Sequence, residues 1–251
     1  MIRMQSWEDA KSAKRPNRHE NFQGYLTDFI IAGANDSPKA QAYLVDQHPN
    51  WVTPSHFHLE HQFQVVTAGS GSIGRHPVKR LAVHYASPET GYGPITAGPD
   101  GVAYLTLRAT SDTGAWWLHN PEQRARMRRG INKQQETAEP ASAISAEQLR
   151  SLSAPSVEEL ISPRENGLAA HLVCLPPGAT LTLPWQHPHA GRFYIAMGGV
   201  LRVARKELGA IATVFASCDE VFPIAAGDSG AEVLILQFPR DAVDGPIKAG
   251  K

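Results

Sequence analysis

Two His-x-His pairs are the residues of this sequence best suited to metal chemistry. One residue separates His56 from His58, and one separates His187 from His189. Because side chains alternate between the two faces of a β-strand, residues spaced in this way share a face. Neutral imidazoles are common ligands of divalent metal ions. Each pair is therefore a candidate pair of ligands for one metal ion.

Each His-x-His pair lies upstream of a longer repeated segment. Residues 94–107 and 223–236 share Pro, Ile, Ala, Gly and Leu at matching positions. A repeat of this length indicates a duplicated domain rather than a solenoid of short units. The chain has 251 residues, which is enough for two domains that each bury a core.

Short β-rich runs must position these histidines, and they occur in both halves of the chain. Gly, Pro, Asn or Asp separates the runs, a pattern that predicts all-β units of the barrel or sandwich type. The runs are residues 25–31, 41–45, 63–66, 81–85 and 103–107 in the first half, and 169–175, 179–183, 193–197, 200–203 and 233–236 in the second.

The middle of the chain has a different pattern, which predicts a helical linker over residues 113–165. Asn120 as N-cap, Pro121 at the first helical position and Gly130 at the end predict one helix. Ser145 and Gln148 have the spacing of a capping box and predict the start of a second helix.

The expected organisation of the chain follows from these patterns. An N-terminal arm occupies residues 1–20, and a first barrel with the candidate metal site occupies residues 21–112. The helical linker follows, and a second barrel with a degenerate site occupies residues 166–251.

The first His-x-His segment resembles the first signature of the cupin superfamily. That signature is His-x-His, three or four residues, Glu, six residues and Gly; here Gln62 takes the place of Glu, and Gly69 ends the motif. With the repeat, the chain resembles a bicupin: two tandem jelly-roll barrels, or double-stranded β-helices, joined by a linker. In cupins these side chains line the barrel and bind a divalent metal ion. The resemblance thus implies metal ligands at His56, His58 and Gln62.

The glutamine is the first departure from the signature. The carbonyl oxygen of Gln62 is neutral and a weaker donor than a carboxylate, so we expect weaker metal binding. Two alternatives stay open for this residue. It is a third ligand or the orienter of a histidine, or it is a satisfied polar residue of the barrel core.

The second departure concerns the second cupin signature, Pro-x-Gly-x-x-His, which normally supplies another ligand. Residues 88–94 correspond to it and contain no histidine; Tyr92 is the nearest candidate. We expect Tyr92 to be a weak ligand or a hydrogen-bond donor to substrate, and His84 to replace the missing ligand. Alternatively, His56 and His58 are hydrogen-bonded remnants of a metal-binding ancestor.

The second half departs further from the signature. Arg192 stands where the first half has Gln62, and residues 218–222 again lack the second-signature histidine. A guanidinium there would repel a divalent cation. The pocket of His187, His189 and Arg192 is therefore expected to be structural, or to bind a small anionic molecule.

Composition limits the partners and the compartment. The 24 basic and 24 acidic residues balance, so nothing in the net charge attracts nucleic acid or an anionic membrane. The apolar runs are too short to span a membrane, and residues 1–18 lack the apolar core of a signal peptide. Two cysteines make no disulfide framework, which predicts a cytoplasmic protein. An unpaired edge near residues 25–31 would favour a homodimer.

These observations suggest one enzyme class and two alternatives. A metal ion (Fe, Mn, Ni or Zn) held by two histidines and a neutral ligand leaves positions open for substrate and O₂. The cupin resemblance then implies a dioxygenase, or an isomerase or lyase, acting on a small aromatic or enolisable carbonyl substrate, with Gln62 and Tyr92 as catalytic residues. Phe63 and Tyr85 would suit a flat ligand if they face inward. The alternatives are a non-enzymatic small-molecule or metal-binding module and a structural bicupin that has lost catalysis.

Overall fold

A computed structural model describes residues 1–112, 114–128, 133–183, 187–220 and 223–243. Most of these residues lie in strands, which confirms the expectation of a mainly β protein. The strands are β1 (Ile2–Gln5), β2 (Arg15–His19), β3 (Phe22–Ile30), β4 (Gln41–Gln47), β5 (Val52–Thr53), β6 (His56–Phe57), β7 (Gln62–Ile73), β8 (His76–Lys79), β9 (Val83–Ala86), β10 (Ile95–Arg108), β11 (Trp116–Trp117), β12 (Gln135–Ala138), β13 (Ser156–Ile161), β14 (Ala169–Leu175), β15 (Thr180–Leu181), β16 (His189–Val203), β17 (Lys206–Leu208), β18 (Thr213–Ser217) and β19 (Ile224–Pro239).

The helices are short. They are α1 (Trp7–Ala10), α2 (Pro121–Ala125) and α3 (Ala146–Ser151), and single 3₁₀ turns occupy Lys11–Ala13 and Arg240–Val243. The Asn120 side chain caps α2, and Ser145 and Gln148 form the expected capping box on α3. None of the helices in the described ranges has the length and apolar character that crossing a membrane requires.

Helix α2 ends before the predicted position. Its last helical residue is Ala125, and Gly130, the expected end, lies outside the described residues. The backbone N–H of Arg128 donates to a carboxylate oxygen of Glu89 at 2.6 Å instead of to a helix carbonyl. Arg128 Nε contacts the other oxygen of Glu89, so this ion pair holds the segment that follows the helix.

The chain forms two compact units. One contains the described residues of 13–139 together with residues 242–243, and we call it the nine-stranded unit. Its sheet has the order β12-β9-β7-β10-β4-β3-β2, with β5 paired to β10 and β8 paired to β7. The strand β6 pairs separately with β11.

The second unit contains residues 1–12 and 140–241, and we call it the eight-stranded unit. Its sheet has the order β1-β18-β16-β19-β14-β13, with β15 paired to β19 and β17 paired to β16. The strands of the two units follow the same order. In the nine-stranded unit it begins with β12 at one edge and includes the long pair β7-β10, and in the eight-stranded unit it begins with β1 at one edge and includes the long pair β16-β19. This match of topology is what a duplicated domain predicts.

The structure divides the chain differently from the predicted boundaries. The strand β1 pairs with β18, so the first residues extend the eight-stranded sheet rather than forming an arm. The predicted helical linker contributes β12 and β13, which pair with β9 and β14. A strand that lacks a neighbour has unsatisfied N–H and C=O groups, and these segments supply their partners.

The edge that favoured a homodimer is partly covered. β2 pairs with residues 22–26 of β3, and β4 pairs with β3 on its other side. This strand therefore gives the homodimer expectation little support.

Close backbone approach explains why glycine recurs in the repeat. Gly69 has φ +69°, and a Cβ added there would lie 2.2 Å from the carbonyl oxygen of Gly101. Gly199 and Gly230 make the same approach in the eight-stranded unit, with φ +66° at Gly199 and the same 2.2 Å distance. Only glycine satisfies both the left-handed backbone and the missing space.

We expect Gly69→Ala to lower the free energy of unfolding by about 3 kcal/mol, because the methyl group collides with backbone that cannot move away. Gly74→Ala is the matched control, since Gly74 also has positive φ (+59°) but its nearest neighbour would be 3.4 Å away. It should cost about 1 kcal/mol. Urea unfolding measures both, and equal losses would contradict this account.

Candidate functional site

A cavity of about 130 Å³ lies in the nine-stranded unit. The inward faces of β4, β7 and β10 form much of its wall, and β6 and β11 close one side. Its lining mixes polar and aromatic side chains, including His56, His58, Gln62, Gln64, Tyr43, Tyr92, Tyr104, Arg108 and Trp117. The cavity therefore contains both candidate histidines of the first half.

The His-x-His pair faces this cavity as its spacing predicts. His56 and His58 line the space, and their ring centroids are 5.2 Å apart. Phe57, between them, is fully buried and stacks on Trp116. Two backbone hydrogen bonds between His56 and Tyr92, of 3.1 and 3.0 Å, fix this segment against the facing chain.

Both histidines are held in the form that binds metals. His56 Nδ1 lies 2.8 Å from the carbonyl oxygen of Pro54, and His58 Nδ1 lies 3.0 Å from Oδ1 of Asp112. These oxygens only accept hydrogen bonds, so Nδ1 carries the proton and Nε2 keeps a lone pair. At His58, Nδ1 also lies 3.3 Å from Nη2 of Arg108, but the carboxylate of Asp112 is closer and takes the proton.

Burial also keeps the two rings neutral. It lowers the pKa of His56 to about 3, with a further contribution from His58. Burial, and next the charge of Arg108, lowers the pKa of His58 below its ordinary value. At neutral pH both imidazoles are therefore available as uncharged donors.

The side chain of Gln62 is engaged at both ends. Its Oε1 accepts a short hydrogen bond from Nη2 of Arg108, and its Nε2 donates to the hydroxyl of Tyr92 at 2.7 Å. A rotated amide would place its NH₂ group against the guanidinium, donor against donor. The carbonyl oxygen expected as a metal ligand therefore points at a cation.

Arg108 is a residue of the site that the sequence analysis missed. It is 0% exposed at the end of β10. Nη1 donates to Oε1 of Gln41 at 2.9 Å and to the hydroxyl of Tyr43 at 3.1 Å. Nη2 also lies 3.2 Å from Oδ2 of Asp112. A buried guanidinium is stable only with such partners.

The ion pair with Asp112 balances the buried charge. Burial works against ionisation of Arg108, but Tyr43 and Asp112 outweigh it and raise the arginine's pKa. In turn Arg108, and then His58, holds the pKa of Asp112 well below its usual range although burial opposes this. Asp112 therefore connects the guanidinium to His58 as a fixed negative charge.

Tyr92 lies among the three histidines of the predicted site. Its ring centroid is 4.6 Å from that of His56, 6.3 Å from that of His58 and 5.2 Å from that of His84. Burial raises the pKa of Tyr92, so the hydroxyl keeps its proton.

His84 is buried beside this group, where it pairs with Gln64 across β9 and β7, but it is not among the residues that line the cavity. That it is a metal ligand stays a prediction. Its Nδ1 lies 2.8 Å from Oγ1 of Thr137 on β12, and its Nε2 is buried without a hydrogen-bond partner in the described part of the chain. Burial lowers its pKa to about 4. Phe63 and Tyr85 pair across β7 and β9 on the face opposite Gln62 and do not line the cavity.

Within the described ranges, one group of three metal-ligating side chains has its donor atoms within 4.8 Å of one another. It consists of His58, Glu60 and Asp112, not of the predicted set with His56 and His84. The sequence analysis did not single out either carboxylate.

The side chains fit a metal ion in part. The Nε2 atoms of His56 and His58 suit a divalent cation, and the carboxylates beside His58 would add negative charge. The guanidinium of Arg108, 3.3 Å from His58 Nδ1, repels a second cation. We therefore expect any metal to be bound through few protein ligands.

The eight-stranded unit contains the same pair of residues in reversed order. Arg192 on β16 stands at the position of Gln62, and Gln237 on β19 stands at that of Arg108. Arg192 Nε donates to Oε1 of Gln237 at 2.9 Å, and Gln237 Nε2 donates to the carbonyl oxygen of Gly167 at 2.6 Å. Comparison of the two repeats would have revealed this exchange and drawn attention to Arg108.

Of the residues predicted for the secondary pocket, Arg192 is buried in the eight-stranded unit. Burial, with the charge of Arg192, lowers the pKa of His189 to about 4. Burial also lowers the pKa of Arg192 itself. His187 and His189 are only half-buried. That this pocket is structural or binds an anion stays a prediction.

Solved structures provide the comparison for this architecture. No protein-family model matches the chain, and no curated protein matches its sequence significantly. The bacterial pirin YhhW from Escherichia coli in complex with nickel(II) is 13% identical, with a TM-score of 0.56 over 95% of this chain and 99% of that one. Oxalate decarboxylase from Bacillus subtilis is 16% identical, with a TM-score of 0.58 over 96% of this chain and 76% of that one.

The 11S allergen from Cocos nucifera also has this fold, with 12% identity and a TM-score of 0.58 over 95% of this chain and 89% of that one. These neighbours are cupin-fold proteins. The cupin fold expected from the His-x-His signature is therefore confirmed. At such low identity the likeness concerns the fold alone.

We expect Asp112→Asn to lower the free energy of unfolding by about 3 kcal/mol, because it leaves the charge of Arg108 buried and uncompensated. Asp28→Asn is the matched control, since it breaks the exposed ion pair of Asp28 with Arg15. That loss should stay below about 1 kcal/mol. Urea unfolding of both variants is the measurement, and similar losses would show that Arg108 does not need Asp112.

Proposed function

We propose that the cavity of the nine-stranded unit binds one divalent metal ion together with a small organic molecule, and that the protein is a metal-dependent enzyme. The observation that carries this proposal is the state of His56 and His58. Both rings are neutral, both Nδ1 atoms are engaged by acceptors, and both residues line the same cavity. The cupin fold and the nickel(II) complex of the pirin neighbour add support.

The Nε2 atoms of His56 and His58 would hold the ion, and other coordination positions would stay open to substrate. A bound Fe, Mn, Ni or Zn ion would supply O₂ activation or Lewis-acid polarisation of a carbonyl. This chemistry fits a dioxygenase first, and an isomerase or lyase second.

The protein's own side chains define the substrate. An engineered cavity of about 150 Å³ accommodates benzene, so a cavity of about 130 Å³ suits a molecule of about six heavy atoms. Trp117 and Tyr104 provide flat apolar walls, and Tyr92 provides a polar contact. We therefore favour a small aromatic or enolisable carbonyl compound.

A second candidate is a metal-free small-molecule binding module. Arg108 supports it, because its guanidinium already occupies the carbonyl oxygen of Gln62 and places a positive charge beside the histidines. Such a cavity could bind its ligand with protein groups alone.

The metal content of protein purified without added metal or a poly-His tag separates the two candidates. We expect about one equivalent in the wild type and its loss in His58→Ala, because removal of one imidazole leaves too few ligands. His76→Ala is the control, since His76 is exposed on β8. An unfolding curve for each variant shows whether metal loss reflects loss of the fold.

Absence of metal from the wild type, even after reconstitution with each ion, would end the metalloenzyme proposal. The binding module would then be the better account, and bound organic ligands would be the next thing to identify.

A further inference from the structure

Two hydrogen bonds connect Arg108 to Tyr92 through Gln62, and the donor of each is on the Arg108 side. A guanidinium has donors and no acceptor, so Arg108 must donate to Gln62 Oε1. The amide of Gln62 then presents its NH₂ group to Tyr92. The phenolic oxygen is therefore the acceptor in this bond, and the phenolic proton must point elsewhere.

That proton has no protein acceptor within the described ranges. Gln62 is the hydrogen-bond partner of the Tyr92 hydroxyl there, and Tyr92 lines the cavity. A buried hydroxyl that does not donate is costly, because it loses its hydrogen bond to water. A ligand in the cavity can supply the missing acceptor.

We propose that Arg108 and Gln62 orient Tyr92 as the hydrogen-bond donor of this cavity, and that the donor selects small neutral molecules carrying a carbonyl oxygen. Arg108 and Gln62 are positioning residues, and Tyr92 is the residue that touches the ligand. The inference rests on the proposed function only in that the cavity takes a small molecule.

The charge balance favours a neutral ligand over an anion. Asp112 pairs with Arg108 at 3.2 Å, so the guanidinium already has a counter-charge from the protein. A carboxylate ligand would lose its hydration without gaining an uncompensated cation.

The eight-stranded unit provides an internal comparison. There the exchanged amide, Gln237, donates to the backbone carbonyl of Gly167. The glutamine amide thus donates to the protein's own backbone in the eight-stranded unit and to a cavity-lining phenol in the nine-stranded unit. The orientation of Tyr92 is a property of the nine-stranded unit.

Two probes of similar size test the selection: cyclopentanone, which has a carbonyl oxygen, and benzene, which has none. Calorimetric titration of metal-stripped protein gives their dissociation constants without a contribution from metal. We expect Tyr92→Phe to weaken cyclopentanone binding by about tenfold, the effect of one lost hydrogen bond, and to leave benzene binding within about twofold. Tyr25→Phe, the same change on β3 outside the cavity lining, should alter neither.

Gln62→Glu tests the orientation with Tyr92 in place. A carboxylate accepts from both Arg108 and the Tyr92 hydroxyl, so the phenolic proton turns away from the cavity. Cyclopentanone binding should weaken about as much as in Tyr92→Phe, and benzene binding should persist. A purely structural role for Gln62 predicts no such selective loss.

Three results would overturn the inference. They are equal weakening of both probes by Tyr92→Phe, unchanged cyclopentanone binding in Gln62→Glu, and a selective loss in Tyr25→Phe as large as that in Tyr92→Phe. If neither probe binds the wild type, with or without metal, the cavity is not a small-molecule site and the proposed substrate fails too. The metal content of His58→Ala decides the metal proposal separately.

Discussion

The buried charge of Arg108 is the constraint on which the site depends. A guanidinium removed from water needs acceptors and a counter-charge, and the nine-stranded unit supplies them to both Nη atoms from β4, from β7 and from Asp112 beyond β10. Its Nε is buried without a hydrogen-bond partner among the described residues. Once these partners are fixed, so are the amide orientation of Gln62 and the Nδ1 proton of His58. The arrangement of the cavity follows from satisfying one cation.

The positive charge of Arg108 opposes the binding of a metal ion in the same cavity. The fold and the two neutral histidines favour a metal ion, while the guanidinium supplies a positive charge beside the position where that ion would sit. Asp112, and Glu60 near it, are the groups that can reconcile them, because their negative charge offsets a second cation. The balance between these charges decides whether the cavity works with a metal or with protein groups alone.

Both units contain a hydrogen-bonded arginine and glutamine at two facing strand positions, but the two residue types exchange positions between the units. Gln62 and Arg108 in one unit correspond to Arg192 and Gln237 in the other, and in both the guanidinium donates to the amide across neighbouring strands. A donor and an acceptor can exchange strands without losing their hydrogen bond. The partners beyond the pair differ, and these give the two units different interiors.

The sequence by itself determined the mainly β fold, the duplication and the shared face of His56 and His58, because strand alternation and Gly and Pro punctuation act locally. It could not determine the edge strands β1 and β12, whose partners are distant in the chain, nor the early end of α2 at Ala125. Only the tertiary structure decided the site's chemistry. Arg108 meets Gln62 from 46 residues away, through the register of β7 with β10. No local pattern encodes that register, which is why a residue expected to bind a metal accepts a hydrogen bond from a guanidinium instead.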